Sequence, residues 1–194
     1  MRKIIVLLAI LASGTFSFAQ GGMTKSAYRE ADGWLLSVGV NALGSFGTRN
    51  PFEKLDEFEF QTPLAVAVER RWANFLSIEQ DFSINGFDTG KRLDGGVLTE
   101  DLTYITTNTS LKYYYSDDLL NWQWVDLYVG AGLGIFWLDE TNTSANVNLG
   151  AMFWLSDNIG FRVQASGKWA FNHPQRQFDN NHLQYFLQGV YQFD

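Results

Sequence analysis

Two histidines, His173 and His182, are the side chains of this 194-residue sequence best suited to moving protons near neutral pH. They lie at the margins of a polar stretch from Asn172 to Asn181, in which Asp179 could orient either imidazole. A hydrolase that edits lipids would add a hydroxyl nucleophile. That stretch contains no serine, so the histidines read as polar loop residues. Cysteine is absent, which excludes thiol catalysis, cysteine-ligated metal and disulfides. The acidic residues Glu53, Asp56, Glu57 and Glu59 offer oxygens to a calcium ion, but they lack the ligand-and-glycine spacing of a dedicated loop and read as a solvated run. No phosphate-binding loop or dinucleotide fingerprint is present. The expectation is a protein that is not an enzyme and uses no cofactor or metal.

Six charges occupy positions of another kind. Glu69, Glu79, Asp81, Lys112, Arg162 and Lys168 each fall on the polar side of a stretch that alternates polar and apolar residues. The stretch that explains them best is Val125–Trp137. Leu127, Val129, Ala131, Leu133, Ile135 and Trp137 form one apolar face, and Asp126, Tyr128, Gly130, Gly132, Gly134 and Phe136 form the other. A buried strand of a soluble sheet seldom spends three glycines on its second face, because glycine costs backbone entropy and packs nothing. A membrane-barrel strand has a reason to, since one face meets lipid and the other lines a crowded lumen.

The design recurs along the chain. Strands are predicted at 34–44, 62–70, 75–87, 102–114, 125–137, 145–155, 159–171 and 182–193, each with period-two alternation. The third is the cleanest: Leu76, Ile78, Phe82 and Ile84 oppose Ser77, Glu79, Asp81, Ser83 and Asn85, and only Gln80 interrupts the apolar row. The fourth has an apolar face that is half threonine, with Thr107 and Thr109 among Ile105, Leu111 and Tyr113. Connections mostly alternate long and short, as loops and turns of an up-and-down barrel do. The exceptions are a long second turn and a short third loop, the latter placed at Asp139-Glu140-Thr141-Asn142.

Composition agrees. Aromatic residues make up 16% of the chain, yet mean hydropathy is only −0.13, because alternation hides a lipid face from averaged hydropathy. Residues 1–19 predict an export signal: basic Arg2-Lys3, apolar Ile4 to Ala12, and Ser17-Phe18-Ala19 before Gln20. Residues 20–33 form a polar segment and 34–194 the barrel. The formal net charge of −7 argues against nucleic acid as a partner. Trp34, Trp72, Trp122, Trp124, Trp137, Trp154 and Trp169 all fall at or near strand ends, where an interfacial girdle would hold amphipathic indoles. The fold class expected is all-β, an eight-stranded antiparallel transmembrane barrel. Its lumen is just wide enough to be filled by side chains, so the six inward charges should pair across it and plug it.

Tyr128-Val129-Gly130-Ala131-Gly132-Leu133-Gly134, Asp157-Asn158-Ile159-Gly160-Phe161 and the last strand, His182 to Phe193, together resemble the OmpA-type (OmpA/OmpX-like) outer-membrane barrel domain. The likeness is best over the last third. It implies residence in the outer membrane among its lipids, and insertion by the outer-membrane assembly machinery, which reads a last strand ending in an aromatic. Tyr191 and Phe193 match that signal; Gly189 lies one place off the usual register and Asp194 follows the aromatic. Many relatives carry a peptidoglycan-binding domain after the barrel, and no such sequence follows here, so cell-wall anchoring is not carried over. Three roles follow: a structural or interaction barrel, as a subunit of a larger envelope complex; a surface-loop protein for adhesion or defence; and, last, a lipid-modifying enzyme.

Overall fold

The computed structural model describes residues 32–45, 58–73, 75–93, 96–115, 124–171 and 181–193. The export signal, most of the polar segment after it, the acids Glu53, Asp56 and Glu57, Trp122, His173 and Asp179 lie outside the described residues.

The described residues form ten strands: β1 (Gly33–Ser45), β2 (Leu64–Ala73), β3 (Leu76–Phe87), β4 (Arg92–Leu93), β5 (Gly96–Val97), β6 (Leu102–Tyr114), β7 (Val125–Trp137), β8 (Thr141–Trp154), β9 (Ile159–Ala170) and β10 (His182–Phe193). Eight of them close into a barrel in the order β1-β10-β9-β8-β7-β6-β3-β2, while β4 and β5 pair only with each other. Every ladder is antiparallel, and the last strand meets the first with Trp34 opposite Phe193 and Ser45 opposite His182. Closure gives each wall strand a neighbour on both sides, which a bilayer requires because lipid offers backbone groups no partner.

The wall sorts its residues by parity. Outward positions such as Leu36, Val38, Val68, Leu111, Val147, Leu149 and Leu187 are exposed, and Leu133 is 64% exposed. Inward positions are buried and largely polar. A 13-residue strand such as β7, rising about 3.4 Å per residue and tilted about 45°, covers roughly the 30 Å of a hydrocarbon core. An apolar belt around a polar interior is the arrangement of a barrel that spans a bilayer.

Several boundaries differ from the sequence reading, most of them by one residue. β8 begins at Thr141, not Ala145, because Thr141 and Asn142 continue the ladder opposite Trp137 and Phe136. β2 begins at Leu64 and runs to Ala73, past a register shift between Arg71 and Ala73. The β4–β5 hairpin lies within a segment read as irregular, since strands of two residues carry no periodicity. For orientation, the end holding Gly33 and Phe193 is called the turn end, and the opposite end the loop end.

The barrel lumen as candidate functional site

From the turn end upward, the lumen is filled in layers. Leu35, Met152, Trp154 and Val190 make a small apolar floor. Beside it Arg71 Nη1 meets Asp126 Oδ2 at 3.0 Å, and Trp154 Nε1 donates to the same oxygen at 2.9 Å. The Arg71 guanidinium lies over the Tyr114 ring, 4.1 Å from its centroid.

Above this floor sits a buried ionic cluster. Glu69 and Glu79 are directly opposite each other on β2 and β3, a like-charge pair that is unfavourable alone. Two cations offset it. Lys112 Nζ lies 3.1 Å from Glu69 and 2.6 Å from Glu79. Arg162, from β9 across the barrel, reaches Glu69 at 3.3 Å and also bonds Glu79. All four side chains are at most 1% exposed. Neutral groups take much of the remaining capacity: Ser77 Oγ donates to Glu69 at 2.6 Å, Tyr114 Oη donates to Glu69, and Gln188 Oε1 accepts from Arg162 Nε and Nη2 at 3.0 and 2.7 Å. Desolvated charges are tolerated when each is paired and hydrogen-bonded in this way.

The glycines of β7 make room for this filling. A Cβ on Gly134 would sit 2.0 Å from Asn108 Oδ1, and one on Gly150 of β8 would sit 2.4 Å from the Tyr128 phenol. Tyr128 therefore fits against Gly150 inside the lumen and donates to Gln164 at 2.6 Å.

The middle of the lumen is held mostly by amides and hydroxyls. Asn108 is the hub: its Nδ2 donates to Asp81 at 2.5 Å, and its Oδ1 accepts from Lys168 Nζ at 2.7 Å and Asn146 at 2.8 Å. Asp81 and Lys168 are thus linked through one amide. On the other side Gln184 donates to Asn41 and Ser83, and Asn85 donates to Asn41 Oδ1 at 2.9 Å. Register pairing of β1 with β2 stops at Gly39 and Ala65. Asn41 covers the gap by donating to the carbonyls of Leu64 and Ile84.

The loop end is closed by hydrocarbon. Leu43, Phe87, Leu93, Leu98, Tyr104, Phe136 and Leu138 form one buried cluster, to which the β4–β5 hairpin contributes Leu93. Glu59 pairs backbone-to-backbone with Leu43, and Lys91 Nζ lies 2.5 Å from Glu59 Oε1. Thr89 donates through its N and Oγ1 to Asp101 at 2.7 and 2.6 Å, which holds that carboxyl below its usual range.

The residues singled out from sequence are distributed as follows. Glu69, Glu79, Lys112 and Arg162 meet in one cluster, and Asp81 with Lys168 forms a second. Arg71 and Asp126 add a further inward pair to the six charges read from sequence; continuing the Ala65-Ala67-Glu69 face by one step places Arg71 there. Trp34, Trp72, Trp137 and Trp169 are exposed outward at strand ends. Trp124 is half-buried beside Phe153, 5.9 Å between ring centroids. Trp154 departs from the girdle: it is 2% exposed and inside the lumen, because it shares parity with Asn148 and Met152. Tyr191 and Phe193 face outward with rings 6.3 Å apart. His182 is not a loop residue. It is fully buried, edge-on to Tyr104 and Phe136 at 5.2 and 5.1 Å. Among the described residues, neither of its nitrogens has a hydrogen-bond partner.

Solved structures similar to this chain are eight-stranded outer-membrane barrels, the fold that the OmpA-type resemblance implied. Neisserial surface protein A matches at TM-score 0.54 and 12% identity, over 84% of this chain and 98% of that one. The outer membrane protein OprG of Pseudomonas aeruginosa matches at TM-score 0.54 and 14% identity, over 84% and 97%. Ail, the attachment invasion locus protein of Yersinia pestis, matches at TM-score 0.51 and 14% identity, over 84% and 99%. Identities this low carry the fold alone. No protein-family model and no curated protein sequence matches the chain.

Proposed function

We propose that the protein is a non-enzymatic outer-membrane barrel whose lumen is closed, and which acts through its surfaces as a structural or interaction protein within the cell envelope. The observation that carries this reading is the buried cluster of Glu69, Glu79, Lys112 and Arg162, between an apolar floor and an apolar cap. An ion passing through would have to part charges that are desolvated and paired. The absence of steady current from the purified protein in planar bilayers is the expected result. Steady, large conductance in most insertions would overturn the closed lumen.

The enzyme reading is disfavoured by His182, which packs against two aromatic rings and, among the described residues, has no hydrogen bond to an acid. A second reading, binding of a partner at the loop end, draws support from the tied cap of Glu59, Lys91 and the β4–β5 hairpin, which gives the loops a fixed base. Deleting residues 46–57 leaves Glu59 in place. That deletion should preserve the heat-dependent gel shift of a folded barrel while removing surface attachment; retained attachment would sink this reading. Insertion through the assembly machinery, with Tyr191 and Phe193 as its signal, predicts that Phe193→Ala lowers the folded fraction in cells.

A further inference from the structure

On the outer wall toward the turn end, Arg70 is the one cation at an outward position among the described residues. It stands opposite Trp34 on β1 and Ile78 on β3, two residues before the exposed Trp72. At this end β2 joins β3 within two residues and β8 joins β9 within four, the short turns of a periplasmic face. Tryptophans mark the depth of the headgroup boundary, so Arg70 lies where lipid phosphates lie. Its half-buried guanidinium sits over the Trp34 ring, 5.7 Å from the centroid. Among the described residues, no carboxylate pairs with it.

From Arg70 a shallow groove of about 190 Å³ runs along the wall between Trp34, Val68, Ile78, Gln80 and Thr109. Thr109 is shorter than Leu111, the next outward residue of β6, and Gln80 is folded onto the threonines. Gln80 Nε2 donates to Thr107 at 2.7 Å and to the Asp81 carbonyl at 3.5 Å. Thr109 donates to Gln80 Oε1 at 2.5 Å, and Thr107 to the Asp81 carbonyl at 2.8 Å. Every polar hydrogen of these three side chains thus has an acceptor within the wall, and the row faces hydrocarbon without asking for a polar partner. Glu79 also borders the groove, but its carboxylate is turned to the lumen and bonded to Lys112 and Arg162.

We propose that Arg70 and this groove bind one anionic glycerophospholipid of the periplasmic leaflet: its phosphate accepts from the guanidinium, and one acyl chain lies in the groove. Two observations select lipid over a protein. The groove opens onto the bilayer of an outer-membrane barrel, and its polar side chains are already satisfied. Arg70 adds an unpaired positive charge at phosphate depth, and its planar fork matches two phosphate oxygens. A headgroup without an ammonium of its own leaves its full negative charge to Arg70, which favours phosphatidylglycerol over phosphatidylcholine.

This inference rests on the outer-membrane location of the chain and not on the closed lumen, so the conductance test leaves it untouched. Its own test is native mass spectrometry of the folded protein in mild detergent, titrated with dioleoyl phosphatidylglycerol. One tightly bound lipid per chain is expected, with weaker binding of dioleoyl phosphatidylcholine and no displacement by inorganic phosphate. Arg70→Gln should weaken the phosphatidylglycerol complex about tenfold, the order of one charge-assisted hydrogen bond. Thr109→Trp fills the groove and should displace the lipid with Arg70 intact, whereas Val163→Trp on β9, across the barrel, should not. Unchanged binding in Arg70→Gln or in Thr109→Trp, an equal loss in Val163→Trp, equal affinity for phosphatidylcholine, or displacement by inorganic phosphate would each overturn the proposal. The heat-dependent gel shift of each variant verifies that the barrel has folded. Wild-type protein that keeps this shift and binds no lipid would refute the site and leave the outer-membrane barrel standing.

Discussion

Toward the turn end, the lumen is held by full charges in van der Waals contact; toward the loop end, by amides, hydroxyls and then hydrocarbon. Glu69, Glu79, Lys112 and Arg162 join strands on opposite sides of the barrel with four ion-pair contacts. In the upper half Asp81 and Lys168 are separated by Asn108, which bonds both and also Asn146. The lower cluster is strong only while it is complete. The upper network spreads its polar groups over many weaker partners, so the loss of one leaves the others mostly satisfied. Above both, the side chains of Leu93 and its neighbours exclude water by apolar packing.

The lower cluster should therefore show the largest single effect. Arg162→Met leaves Glu69 and Glu79 buried and opposite each other with Lys112 alone between them. An uncompensated buried charge of this kind costs about 3–5 kcal/mol, read as a shift in the urea midpoint for folding into lipid vesicles. Adding Glu79→Gln restores one acid to one base and should recover more than half of that loss. If the double variant is as unstable as the single one, packing of the Arg162 side chain, rather than charge balance, dominates the cluster.

A middle-sized effect tests the upper network. Gly134→Ala would place a methyl 2.0 Å from Asn108 Oδ1 and 2.7 Å from Asn146 Nδ2. Asn108 cannot swing aside freely, because Asp81, Lys168 and Asn146 all bond it. Overpacking of this sort costs about 1–3 kcal/mol, measured by the same midpoint. An alanine tolerated without change would show that the network can shift as a body.

Most of this barrel was legible because its signal is local. Period-two alternation in Val125–Trp137 or Leu76–Phe87 sorts residues inward and outward wherever the strands later pair. The same parity put Glu69, Glu79, Asp81, Lys112, Arg162 and Lys168 on one face; Trp154, read from its position near a strand end as part of the girdle, follows that parity inward instead. What parity cannot supply is height and reach. That Arg162 meets Glu79 rather than Asp81 depends on strand stagger and on side-chain length across the lumen. His182 illustrates the same limit: the residues before it, Asn180 and Asn181, are polar, while Tyr104 and Phe136 come from β6 and β7. The β4–β5 hairpin was illegible for another reason, since it is held by Leu93 against a distant cluster and not by any pattern of its own.

That hairpin supplies the smallest expected effect and the sharpest contrast with the ionic layer. Truncating a buried leucine costs about 2–5 kcal/mol when the whole fold must absorb the loss. Leu93→Ala need not be felt globally, because β4 and β5 pair only with each other and can lift from the mouth while every barrel ladder stays formed. Such local opening is governed by the cap's own contacts. The expected result is a urea midpoint changed by less than about 1 kcal/mol, together with faster protease cleavage between Asp88 and Asp101 on the folded barrel. Cleavage that stays slow while the midpoint falls as far as in Arg162→Met would mean that the cap and the charged layer unfold as one unit, and the distinction between the two ends of the lumen would be lost.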